Sequence, residues 1–469
     1  MRDICTDYLI VGSGAVGLAF ADTLLSETDA HITIVDRHGK PGGHWNDAYS
    51  FVALHQPSAF YGVSSMTLGS GRKDSVGINA GLYELASGPE ISGYFDAVMR
   101  RKLLPSGRVT YLPMTNYIGE GRCVSVLSGI ETRVAVRKKT VDATYYGTSV
   151  PSTHTPRYKV GSGVNLVPPN ALPDMALTRR APPERYVIVG AGKTAMDVGV
   201  WLLGCDLPAE CVTWVVSRDS WLLNRRHVQP GAEFFAESIG GLAAQMKAFA
   251  KATSVDDLFA RLEAGGIVLR IDPNVRPDMM HYATISVGEV AILREIRDIV
   301  RKGRVISIER DGLHFETGHV PIAPGALYID CTASAVERRP PVPIFQDDLI
   351  VLQLVRAPQP AFSASLVAYV EAHYGDDRAK NQLCATVPLP DTLEDFPRTA
   401  LANMTNEGNW SKEATLRDWI NRNRLDGFGK IIAAVGEQDV EKQAILAKIR
   451  EHIRPAASNL RRLAARYTG

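Results

Sequence analysis

Short apolar runs alternate with helical stripes through the first and middle thirds of the chain. Tyr8-Leu9-Ile10-Val11 is a continuous apolar run of strand length, and Ala15, Leu18, Ala19, Leu24 and Leu25 follow it at helical spacing. A second run, His31-Ile32-Thr33-Ile34-Val35, reads as the next strand. The same order returns with Tyr186-Val187-Ile188-Val189, a helix over about 194–203 and a strand over 211–216. Strands that are apolar throughout belong to parallel sheets covered on both faces. Strand–helix–strand order predicts an α/β fold with two Rossmann-like units. Between the units the pattern predicts a helix over about 91–103 and strands at 109–112, 123–127, 131–136 and 140–144. Later come an amphipathic stretch over 232–264 and a hairpin, 303–308 with 313–316, that turns at Arg310-Asp311-Gly312. A further strand over 326–330 follows. Past about residue 390 helical patterns dominate, at 415–423, 440–453 and 456–467.

Both strand-to-helix turns are rich in glycine. The first reads Gly12-Ser13-Gly14-Ala15-Val16-Gly17. Gly12 permits the tight turn, Gly14 lets a pyrophosphate approach the backbone and Gly17 lets helix pack on strand. Free N–H groups at the helix start suit the phosphates. Asp36 ends the second strand about 20 residues past the last glycine, where a carboxylate accepts from both ribose hydroxyls, with Arg37 beside it. The second turn reads Gly190-Ala191-Gly192-Lys193-Thr194-Ala195, with alanine in the third place. Its following strand ends in Ser217-Arg218 instead of an acid. An arginine beside a hydroxyl suits a 2′-phosphate, so NADPH is expected there, although Asp219 opposes it. Lys193 and Thr194 are placed with the same cofactor. The adjacent Arg225 and Arg226 are candidates for the phosphate site or the nicotinamide half. Pro151, Pro156, Pro168, Pro169, Pro173, Pro182 and Pro183 mark connecting chain ahead of this unit.

The segment Gly39-Lys40-Pro41-Gly42-Gly43-His44-Trp45, just after the acidic strand end, resembles the class B flavin monooxygenases. The resemblance implies FAD on the first turn, with Gly43 and Trp45 on its flavin side. It also implies that His55 or Gln56, in His55-Gln56-Pro57, hydrogen-bonds the flavin or its oxygen adduct. Asp142-Ala143-Thr144 and the strand ending at Asp330 are similar to the family's chain returns near FAD. The implied organisation is a discontinuous FAD domain over 1–165 and 323–390, an inserted NADPH domain over 166–322 and a helical C-terminal region over 391–469. The implied reaction is reduction of FAD by NADPH, then oxygenation of a small organic substrate through a C4a-(hydro)peroxyflavin. The Baeyer–Villiger fingerprint F-x-G-x-x-x-H-x-x-x-W is missing ahead of Gly190, so the oxygenation type stays open. Two alternatives stand beside this reading. One is an FAD-dependent NADPH oxidase or dehydrogenase, and the other a non-catalytic nucleotide-binding redox sensor.

Composition narrows the partners. The 469 residues predict two or three domains, and a net charge of +1 offers no bulk attraction for nucleic acid or an anionic membrane. The six cysteines have neither C-x-x-C nor zinc spacing, so reduced thiols and no metal are expected, and a disulfide reductase is disfavoured. No apolar run reaches the roughly 18–20 residues of a membrane span. The first strand starts too early for a signal peptide, which leads to a cytoplasmic expectation. The expected partners are a small substrate and O2, with a homodimer left open.

Overall fold

The computed structural model of the protein describes residues 2–178 and 183–466. Pro182 of the predicted connecting chain and Tyr467 at the end of the last predicted helix lie outside the described residues. The first sheet has parallel strands Val109–Leu112, Ile32–Val35, Arg2–Val11 and Glu131–Asp142 side by side. Thr115–Tyr117 and Arg122–Ser125 extend it as an antiparallel meander, and Leu349–Val351 pairs with the end of Glu131–Asp142. The strands predicted at 131–136 and 140–144 are therefore one. The charged run Arg137-Lys138-Lys139 conceals the continuity. Lys139 is buried there because its ammonium reaches the carboxylate of Asp377 at 2.7 Å and the carbonyl of Gln346 at 2.8 Å.

The helix Ala15–Glu27 carries almost no polar face and is covered by Pro360–His373, which is equally apolar. The hydroxyls of Thr23 and Ser365 share a 2.7 Å hydrogen bond at that contact. Trp410, Leu416, Ile420 and Leu425 join the same core.

The second sheet is parallel, in the order Asn165–Val167, Leu327–Asp330, Tyr186–Val189, Val212–Val215 and Asp298–Val300. This corrects the placement of Asp330. Its strand pairs residue by residue with Tyr186–Val189 in the second unit, instead of returning to the first sheet. Chain that was expected to rejoin the first domain from residue 323 does so at Leu349–Val351. Behind the second sheet, Ile308, Leu313 and Phe315 of a small meander pack on Val187, Val189 and Val215.

The stretch predicted as helical over 232–264 is two helices, Phe235–Lys251 and Val255–Ala264, and the Ser254 hydroxyl caps the second. Val440–Ala465 is a single helix that runs through Pro455. Proline removes one backbone donor, but packing outweighs that loss here. Ala456, Leu460 and Leu463 are buried against Phe249, Val255 and Phe259, and the Asn459 amide donates to the carbonyls of Phe249 and Ala252. The C-terminal residues thus divide among several cores, with Leu446 packed on Phe235 and Ile239 in a further one. Among the described residues no helix is long and apolar enough to cross a membrane.

Candidate dinucleotide sites and the seam between them

The first turn is sterically exacting. A Cβ on Gly17 would lie 2.0 Å from the Gly12 carbonyl oxygen, and Gly12 itself has φ +103°. Gly14 begins the helix with no side-chain cap and no acid in the first turn. Its backbone faces Gly43, where a Cβ would stand 3.0 Å from the Gly14 Cα. The Gly42 amide donates to the Ser13 carbonyl at 2.9 Å and holds the two segments together. Uncapped helical N–H groups beside a glycine cradle fit a pyrophosphate. Trp45 packs inward, donating its indole N–H to the Tyr61 hydroxyl at 2.8 Å.

Asp36, at the end of the following strand, is held by its own chain. Its Oδ2 accepts from the amide and hydroxyl of Ser13 at 2.5 and 2.8 Å. Its Oδ1 accepts from the amide of His38 at 2.8 Å and pairs with the His38 ring at 2.9 Å. All four acceptor positions are used by the chain itself, so a ribose hydroxyl reaches Asp36 only by displacing Ser13 or His38. Arg37 projects into solvent. The second nitrogen of His38 meets Asp47 at 2.9 Å, which ties the strand end to the Gly42-Gly43 turn. Burial alone would raise the Asp36 carboxyl, yet the hydrogen bonds from His38 and Ser13 hold it below its ordinary value. The hydrogen bond to Asp36, followed by that to Asp47, raises the His38 imidazole.

The sign of the linkage follows from these directions. The His38 contribution is complete below the ordinary histidine value of about 6.5 and is lost as pH rises through its raised value. The Asp36 contribution is present above the ordinary carboxyl value, about 3.9, and is lost as pH falls through its lowered one. Thermal unfolding of wild type and His38→Asn should therefore differ most between those limits and converge in alkali. A difference that stays constant through neutral and alkaline pH would count against the bridge.

At the second turn Gly190 has φ +136°, and a Cβ there would be 2.6 Å from the Cys331 carbonyl oxygen. Gly192 opens the helix Lys193–Gly204, again without a side-chain cap, and open space lies where its Cβ would be. The two units match in a further detail. Val11 lies in register with Asp142 and Val189 with Asp330. Each aspartate accepts from the amide and hydroxyl of the threonine two residues on, Thr144 and Thr332. Asp330 thus belongs beside the second turn, as Asp142 does beside the first.

Beyond the turn, Ala191, Met196, Val216, Arg218 and Arg301 line a cleft. Ser217 is exposed at its edge. Arg218 stands 3.5 Å from Asp391. Arg301, which the sequence reading missed, takes Asp219 bidentately at 2.9 and 3.1 Å. The acid that weighed against NADPH is therefore already neutralised. Lys193 turns back along its own helix onto Asp197, with Glu289 at 3.9 Å.

A seam joins the two units. Tyr49 donates to Asp197 at 2.7 Å, next to Thr194, and Phe51 stacks on Trp201. Arg225 is fully buried and crosses the seam. It donates to the His55 carbonyl and the Asn79 amide oxygen at 2.8 Å each, and pairs with Glu289 at 2.7 Å. Its neighbour Arg226 points outward to Glu237. The His55 ring lies near Lys193 and Arg225. Burial, then those two charges, pushes its imidazole well below the ordinary value, which keeps it neutral. Among the described residues neither the His55 ring nor the Gln56 side chain takes a hydrogen bond.

Residues 10–68 match the family described as NAD(P)-binding Rossmann-like domain. The chain is 45% identical over 462 residues to the uncharacterized protein Rv2000 of Mycobacterium tuberculosis and to Mb2023 of Mycobacterium bovis, covering 98% of this chain and 85% of each relative. A solved cyclohexanone monooxygenase with bound epsilon-caprolactone superposes with a TM-score of 0.51 at 13% identity, over 96% of this chain and 99% of that one. The chain therefore belongs to the family of these mycobacterial proteins and has the fold of the class B flavin monooxygenases.

Proposed function

We propose that the protein is an NADPH-dependent FAD monooxygenase of a small organic substrate. The observation that carries this reading is the pairing of two uncapped glycine turns across one seam. FAD is assigned to Gly12–Gly17 with Gly43, and NADPH to the turn at Gly190–Ala195. When bound, the flavin supplies the redox and oxygen chemistry. The chain holds the two turns in a fixed relation through Arg225 and Tyr49. It also presents the neutral His55 imidazole and the Gln56 amide as hydrogen-bonding groups with no other partner among the described residues.

The test is NADPH oxidation under labelled O2 across amine, sulfide and ketone panels, with product and H2O2 both measured. One labelled oxygen in an organic product is the expected result. H2O2 equal to the NADPH consumed, without product, would instead establish an oxidase. Gln56→Ala should retain FAD but release about threefold to tenfold more H2O2 per NADPH, as expected for a lost hydrogen bond of about 1 kcal/mol. An unchanged coupling ratio would remove Gln56 from the site.

Cofactor choice is tested separately. A charge-assisted hydrogen bond is worth about 1.5–3 kcal/mol, so Arg218→Ala should raise KM for NADPH roughly tenfold to a hundredfold and leave NADH little changed. Asp391→Asn, which frees Arg218 from a competing carboxylate, should lower KM for NADPH. Equal effects on both nucleotides would exclude a 2′-phosphate contact.

A further inference from the structure

The meander behind the second sheet carries a cluster that the redox reading does not use. Gly312–Phe315 and Gly318–Pro321 pair antiparallel with His314 directly opposite His319. Leu313 and Phe315 face the core beneath, so the period-two alternation of a strand puts both histidines on the outer face. Their ring centroids are 4.5 Å apart. Asp311, in the preceding turn, places one carboxylate oxygen 3.2 Å from His314 Nε2 and the other 3.5 Å from His319 Nε2.

We propose that His314, His319 and Asp311 form a binding site for a borderline divalent metal ion of the zinc class. A tetrahedral ion with bonds of about 2.0–2.1 Å has donor atoms about 3.3 Å apart. Both histidine–aspartate pairs already stand near that separation, and all donor atoms of the cluster lie within 4.8 Å of one another. The frame around them is firm. Gly312 has φ +138°, and a Cβ there would meet the Val320 carbonyl oxygen at 2.1 Å, so the turn cannot take another residue without shifting. The Ile322 amide donates to the Asp311 carbonyl at 3.1 Å, which ties the turn to the third strand. Two imidazoles and one carboxylate select zinc, nickel or copper over magnesium or calcium. Three protein donors leave a coordination position for water. Partial exposure of all three side chains gives the ion a path. Bound there, the ion would pin the edge strand Gly318–Pro321 to the turn that precedes its partner.

The test uses the full chain, stripped with a chelator and titrated with Zn2+ by calorimetry and with Co2+ by visible absorption. Wild type is expected to bind one equivalent that His314→Ala and His319→Ala each weaken at least tenfold, and Zn2+ should raise Tm in wild type only. Comparison between variants isolates this site from the chain's other histidines and its cysteines. His319→Gln, which keeps a polar side chain of similar size, guards against loss of the hairpin itself, and circular dichroism checks the fold of each variant. Equal stoichiometry and affinity in wild type and the folded histidine variants would overturn the proposal.

Discussion

Replacing Arg225 with methionine is expected to destabilise the protein by roughly 3–5 kcal/mol, the usual result of removing one partner from a buried ion pair. The guanidinium is wholly inaccessible and Glu289 is nearly so. Methionine fills much of the volume but leaves the Glu289 carboxylate with the Ser286 amide at 2.7 Å and Lys193 at 3.9 Å. It also leaves the His55 carbonyl and Asn79 without their donor. The weakened charge pairing dominates, because a buried carboxylate left with only the more distant Lys193 at 3.9 Å recovers little of the hydration it has lost. Adding Glu289→Gln removes that charge while keeping an acceptor for the Ser286 amide, so the double variant should recover a substantial part of the loss. Denaturant unfolding of the four proteins measures the coupling directly. Additive losses would show that Arg225 does not act through Glu289. Because Arg225 links His55 to the second unit, the single variant should also slow reduction of the flavin by NADPH, even under conditions where it is fully folded.

Gly17→Ala should have the second large effect, and its contrast with Gly14→Ala separates fold from ligand. The added Cβ at Gly17 would lie 2.0 Å from a backbone oxygen. No rotamer relieves that contact, so the helix must lift off the strand or the turn must open. Loss of FAD and of several kcal/mol of stability is expected together. At Gly14 the nearest atom to an added Cβ is the Gly43 Cα, at an ordinary 3.6 Å. Gly14→Ala should therefore fold normally and weaken FAD alone, because the methyl occupies the space into which the pyrophosphate must come. FAD content after gel filtration and Tm together give the readout. A Gly14→Ala protein that retains FAD as wild type does would move the pyrophosphate away from this turn.

The two turns were legible in the sequence because local backbone geometry dictates glycine there, and because the strand after each ends in a different charge. What surrounded them was less legible. Asp36 stands at the expected position, but its commitment to Ser13 and His38 depends on a side chain two residues on that a sequence pattern treats as surface. Asp330 was assigned to the wrong sheet because Asp-x-Thr strand ends occur beside both turns, and only pairing with Tyr186–Val189 decides between them. Arg301 was hidden by the shortness of the strand it follows, Asp298–Val300, and Arg225 by the distance in sequence to its partners His55, Asn79 and Glu289. The continuous helix through Pro455 reflects tertiary packing overriding a local stop signal.

The central claim is that the two turns hold FAD and NADPH in one electron-transfer unit. Anaerobic mixing of the FAD-loaded protein with NADPH tests it most directly. The account predicts stoichiometric bleaching of the visible flavin band by NADPH, slowed in Arg218→Ala. A protein that takes up no FAD, or one whose bound FAD stays oxidised in excess NADPH, would contradict it.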